Sequence, residues 1–127
     1  KGLDRAITAL AHLCEQQPNV TSRLLVAGQG KPRRFQRLAR RLKVADKVQF
    51  LGGRDDIADL MLAADVLVHP AREDAGGVVL LEALAMGLPL VATDVCGYAP
   101  HVKAARSGIL LPAEFSQEHL DLSLIHI

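Results

Sequence analysis

The sequence predicts an α/β fold: a parallel sheet with helices on both faces. Three observations carry that prediction. Short apolar runs recur without the polar alternation of a half-exposed strand. Stretches with apolar residues at helical spacing lie between them. Gly or Pro punctuates most of the junctions, so strands and helices alternate along the chain.

Leu3, Ile7, Leu10 and Leu13 repeat at helical spacing behind Asp4, which predicts a helix over about Asp4–Gln16, broken by Pro18-Asn19. Arg23–Ala27 is a nearly continuous apolar run and predicts a strand buried on both faces. Gly28-Gln29-Gly30 makes a turn, and Pro32 suits the first position of a helix whose inner stripe is Phe35, Leu38 and Leu42. Val48–Leu51 is the second strand, closed by Gly52-Gly53. Asp55 or Asp56 caps a helix carrying Ile57, Leu60, Met61 and Ala64. Val66–His69 is the third strand, stopped by Pro70. After the Ala71–Gly77 loop, a helix runs over about Val78–Met86, with Gly87 at its C-terminal cap. Pro89–Thr93 is the fourth strand, His101–Ala105 a helical turn, and Ile109–Leu111 the fifth strand. The order is that of a Rossmann-like doubly wound sheet.

At 127 residues the chain is one domain or part of one. Fifteen Lys and Arg balance 14 Asp and Glu. That near-neutrality argues against a dedicated nucleic-acid binder, and the high apolar content argues against disorder. Cys14 and Cys96 form no CxxC pattern, which predicts reduced thiols in a cytoplasmic protein and no structural zinc. No apolar run approaches the roughly 20 residues of a membrane span. Residues 122–127, Leu-Ser-Leu-Ile-His-Ile, read as the in-frame translation of a sequencing adapter, the alternative being a genuine apolar helix turn or strand. They are expected to be a foreign tail that packs poorly, leaving residues 1–121 as a partial domain.

In an open parallel sheet, ligands bind at the carboxyl ends of the strands. The loop after the third strand is the richest in chemistry: Arg72, Glu73 and Asp74, then Gly76-Gly77 at a helix start. Glycines there let a phosphate approach backbone N–H groups at the positive end of a helix dipole. Glu82 lies in the otherwise apolar run Val78–Leu84, where an unpartnered carboxylate is costly. Its partners are either sugar hydroxyls, held in a fork, or a neighbouring backbone or Arg. Gly28-x-Gly30 lacks the rest of a dinucleotide or P-loop fingerprint. The five histidines show no metal-ligand spacing; His69 reads as a core-edge residue and Cys96 as small-residue packing. Lys31, Arg33, Arg34, Arg37, Arg40, Arg41 and Lys43 follow one another without an acid. Such a run is ordinarily a solvated helix face; the sharper reading is attraction to an anionic lipid surface or a phosphorylated acceptor.

These segments together resemble a family. Gly28–Lys31, Val48–Gly53, Ala63–Pro70, Asp74–Pro89 and Thr93–Tyr98, in this order, are similar to the C-terminal domain of GT-B glycosyltransferases of family 4. The resemblance covers the chain to about Leu120. Within the family it points to enzymes that transfer glucose from UDP-glucose to the inner-core heptose of lipopolysaccharide. They retain anomeric configuration and use no metal or other cofactor. It thereby implies a nucleotide sugar and a lipopolysaccharide core as partners, with a place in the cytoplasm or against the inner face of its membrane. The family pairs two glutamates with seven residues between them. Here the second is Glu82, and the first position holds Asp74, one C–C bond shorter, with Glu73 beside it as the alternative. By resemblance, Asp74 binds hydroxyls of the transferred sugar and Glu82 those of the ribose. Gly76, Gly77 and Val78 offer N–H groups to the diphosphate or sugar, Lys1 contacts the diphosphate, and Arg54 lies beside the uracil.

Overall fold

The computed structural model describes residues 2–127, so the expectation for Lys1 falls outside the described residues. Five helices and strands alternate as predicted: α1 (Leu3–Gln16), β1 (Leu24–Ala27), α2 (Arg33–Arg41), β2 (Val48–Gly52), α3 (Ile57–Ala63), β3 (Leu67–His69), α4 (Val78–Ala85), β4 (Leu90–Thr93), α5 (Ala99–Ala105) and β5 (Gly108–Leu111). A 3₁₀ turn at Ala45–Lys47 and a sixth helix, α6 (Gln117–His126), add to these.

Every strand pairing is parallel. The strands form two sheets rather than the single one expected, with orders β1-β2 and β3-β4-β5. Helix α1 joins them. Ile7 and Leu10 pack into a core with Ala39 and Val48 beneath β1-β2, whereas Ala9 packs with Val91, Leu111 and Leu120 beneath the second sheet.

The β3-β4-β5 sheet is covered on both faces. Along β4, Val91 faces α1 and α6, while Leu90 and Ala92 face Leu80 and Ala83 of α4 and Val102 of α5. All four residues of β4 are buried, as its unbroken apolar run requires. Each fully buried Leu or Val there contributes about 1.5–3 kcal/mol. Strand β1 departs from expectation. Its residues alternate, Leu24 and Val26 packing inward while Leu25 is 43% exposed. The apolar core packed on β1-β2 comes from α1 and α2, which leaves Leu25 outside it.

Local chemistry shifts two other boundaries. Pro32 caps α2 instead of occupying its first turn. Asp56 is the N-cap residue of α3, but its carboxylate pairs with Arg54 in place of the helix amides. Residues 122–126 continue α6 as regular helix, with Ile127 at its C-terminal cap. Leu124 packs against the Val91–Leu120 cluster, whereas Leu122 and Ile127 are exposed.

Candidate functional site

The loops that leave the carboxyl ends of the strands carry Arg54, Arg72, Glu73 and Asp74, while Glu82 lies on α4. After β3, the Pro70–Gly77 segment is fastened on several sides. The Thr93 hydroxyl, buried at the end of β4, donates to the Ala71 carbonyl at 2.6 Å. Arg5 of α1 donates to the Pro70 carbonyl at 3.2 Å. Arg72 makes a two-pronged ion pair with Asp4, both contacts at 2.6 Å. These contacts join the start of α1 to the loop.

Asp74 stands at the centre of the segment. Its Oδ2 lies 2.9 Å from His69 Nε2, and its Oδ1 accepts from the Gly76 N–H at 3.2 Å. A carboxylate only accepts, so His69 Nε2 carries the donated proton. The His69 hydrogen bond, helped by the Gly76 and Gly77 amides, outweighs burial and holds the Asp74 carboxyl below the usual carboxylate range. The backbone of Asp74 bridges to Cys96 in the loop after β4, where the Gly97 N–H donates to the Asp74 carbonyl at 3.3 Å. Gly97 is required for that approach: a Cβ there would lie 2.2 Å from the Ala75 carbonyl oxygen.

Donor atoms of His69, Asp74 and Cys96 lie within 4.8 Å of one another, a nitrogen, oxygen and sulfur set of the kind zinc takes. Here the nitrogen and oxygen engage each other, and burial, reinforced by the Asp74 charge, pushes the Cys96 thiol up and keeps it protonated. Cys14 and Cys96 are both free.

Gly77 precedes α4 in the left-handed conformation, φ 77°, and turns the chain into the helix. The Gly76 amide, expected to face a phosphate, is engaged by Asp74. In the first turn of α4 the Leu80 N–H donates to the Gly77 carbonyl at 2.9 Å, while the Val78 and Val79 amides precede the first carbonyl a helix could offer them. Along α4, Leu80 and Ala83 are buried while Val78, Glu82 and Ala85 form an exposed stripe. Glu82 therefore escapes the cost of burial by facing outward, and it joins none of the ion pairs among the described residues. Val78 beside it is 57% exposed. Glu73 is exposed as well, so of the two neighbouring acids Asp74 is the one drawn into the cluster.

Arg54 sits at a second place, the ends of β1 and β2. There Ala27, Gly28, Gln29, Gly53, Arg54, Asp55 and Ile57 line an open cavity of about 610 Å³. Arg54 is held in a fork by Asp56, with Nε 2.8 Å from Oδ1. The Gly28 turn, unremarkable in sequence, gains its place at the cavity because its N–H bonds the Gly52 carbonyl across the two strands.

The family model for glycosyl transferases group 1 matches residues 1–127. The chain belongs to this family. Its group 1 relatives include the lipopolysaccharide glucosyltransferase WaaG of Escherichia coli K12, 50% identical over 121 residues, 95% of this chain and 32% of that protein. Among solved structures, a crystal structure of WaaG, a glycosyltransferase involved in lipopolysaccharide biosynthesis, superposes with a TM-score of 0.93 at 48% identity, covering 98% of this chain and 33% of that one. The Anabaena protein HepE in complex with UDP superposes with a TM-score of 0.82 at 28% identity, covering 98% and 35%. The chain thus spans about a third of the length of the relatives it matches.

His69 is the site residue that sequence reasoning passed over. The signal was its place at the last position of a strand, five residues before Asp74.

Proposed function

We propose that this chain is the donor-binding part of a retaining glycosyltransferase that moves glucose from UDP-glucose to an inner-core heptose of lipopolysaccharide. The observation that carries the reading is the 50% identity to the Escherichia coli lipopolysaccharide glucosyltransferase across 95% of the chain. The HepE likeness, found with UDP bound, supports the nucleotide.

Asp74 then meets hydroxyls of the transferred glucose, and Glu82 forks two ribose hydroxyls from the open face of α4. Gly76, Gly77 and Val78 lie at the diphosphate or sugar, and Arg54 lies beside the uracil at the β1-β2 cavity. In this reading, which by the family resemblance has no metal or other cofactor, Lys1 and the α4 amides meet the negative charge that grows on the leaving diphosphate. The acceptor hydroxyl attacks on the face the diphosphate leaves. Its oxygen bonds to the anomeric carbon, the carbon–phosphate oxygen bond breaks, and the hydroxyl proton passes to the leaving phosphate.

A second observation supports a place against the inner face of the cytoplasmic membrane. All seven basic residues from Lys31 to Lys43 are exposed, and none joins an ion pair among the described residues. Anionic lipid attracts such a face by about 1 kcal/mol per basic residue. Among the described residues, no helix is long and apolar enough to cross a membrane.

The test is turnover of UDP-glucose onto heptose-containing core lipid, in a protein of the relatives' full length that carries these residues. Asp74→Ala depresses turnover while sparing UDP binding, and Glu73→Ala does little. If Glu73→Ala abolishes turnover and Asp74→Ala is silent, the first acidic position is misplaced. If neither Asp74 nor Glu82 matters, the reading fails.

A further inference from the structure

We propose that His69 is a positioning residue for the donor site, its ring holding the Asp74 carboxylate in the orientation that meets the transferred sugar. The inference rests on the reading of Asp74 given above.

His69 closes β3 and is registered against Ala92 of β4, so its ring projects from a paired strand rather than from a loop. Asp74 lies on a loop, and a loop carboxylate needs outside partners to keep one rotamer. It has two, one for each oxygen: His69 on Oδ2 and the Gly76 amide on Oδ1. The side chains of His69 and Asp74 are only 15% and 17% exposed, so water competes poorly for the bond between them. The loop backbone is fixed separately, through the Gly97 N–H to the Asp74 carbonyl and the Thr93 hydroxyl to the Ala71 carbonyl. Removal of the imidazole therefore frees the carboxylate without freeing the loop. That separation distinguishes positioning from a general structural role.

The test uses the full-length enzyme with UDP-glucose and acceptor. His69→Phe keeps the ring and deletes the donor. It lowers kcat on the order of tenfold, the worth of one hydrogen bond to a charged group, with UDP affinity nearly unchanged. His69→Gln, whose amide N–H replaces the donor, recovers most of that loss. In an Asp74→Ala background, His69→Phe has no further effect, because it acts only through Asp74. Nitrogen-15 spectra of the unsubstituted protein supply a readout that needs no stable variant: a proton sits on His69 Nε2, where it meets Asp74 Oδ2. A bare Nε2, a kcat unmoved by His69→Phe, or the same loss with and without Asp74 overturns the proposal. So does a parallel fall of UDP affinity. Full activity in Asp74→Ala instead overturns the donor-site reading itself, and this inference with it.

Discussion

Gly76 and Gly77 are neighbours in sequence, and alanine at the two positions should act in opposite directions. A Cβ at Gly76 meets nothing within 4 Å, whereas one at Gly77 comes 3.0 Å from the Cys96 Cβ in a backbone at φ 77°. Left-handed backbone costs an L-residue about 1–2 kcal/mol. The tight Cys96 contact adds to that cost, and the smaller entropy of the unfolded chain returns about 0.4–1 kcal/mol. Gly77→Ala should therefore lower stability by roughly 1–2 kcal/mol, while Gly76→Ala, which has only the entropy gain, should raise it by about 0.4–1 kcal/mol. The two variants should thus differ by about 1.5–3 kcal/mol, several degrees in melting temperature for a domain of this size. Thermal and urea unfolding followed by circular dichroism measure the difference. Titration with UDP-glucose adds the second half: in the donor-site reading Gly76→Ala weakens binding although it stabilises the fold, because the open space it fills is the ligand's. Equal stabilities for the two variants would refute the conformational argument, and unchanged donor affinity in Gly76→Ala would remove the ligand from that side of the loop.

Glu82→Ala should weaken UDP binding about a hundredfold by calorimetry, two charged hydrogen bonds discounted for the exposed setting of the carboxylate; an unchanged affinity would move the ribose elsewhere. The Asp74 carboxyl is held low in the fold, so the stability it adds is present above the ordinary carboxylate range and lost as pH falls through its folded value. Asp74→Asn should accordingly flatten the acid limb of the stability curve, and an unaltered limb would contradict that pairing. Asp4→Ala should cost under about 1 kcal/mol, the range of surface ion pairs, and the cost should shrink in high salt, since the Arg72 and Asp4 side chains are 50% and 31% exposed. Replacing Arg33, Arg37 and Arg40 with glutamate should reduce binding to anionic vesicles at low salt without changing UDP affinity; unchanged vesicle binding would leave that helix face merely solvated.

The fold was legible where one physical signal acted alone. The apolar run at Leu90–Thr93 and the helical spacing from Leu3 to Leu13 identify β4 and α1 because burial decides both. Leu24–Ala27 was harder: a run of four apolar residues reads as doubly buried, and only tertiary structure reveals that Leu25 lies outside the core. Helix α6 is capped by Ser116 and repeats Leu120 and Leu124 at helical spacing, a signal too short to stand out once residues 122–127 read as foreign. At the site, the acids and glycines stood out by type and spacing. Two facts did not: that Glu82 faces outward while Asp74 turns in, and that His69 is the group Asp74 turns toward. Both depend on side-chain direction across elements, which spacing along one chain does not encode.

The separation of the strands into two sheets gives the molecule two levels of local stability. Amides of β4, sandwiched between apolar clusters, should exchange with solvent only when the whole domain opens. Those of β1 and β2, in a two-stranded sheet with Leu25 outside the core, should exchange through smaller openings that leave the rest intact. The loop bearing Asp74 hangs from the stiffer unit, and the cavity beside Arg54 from the softer one. The end of the site that would hold the reacting sugar is thereby rigid, while the end that would hold the base can adapt its shape.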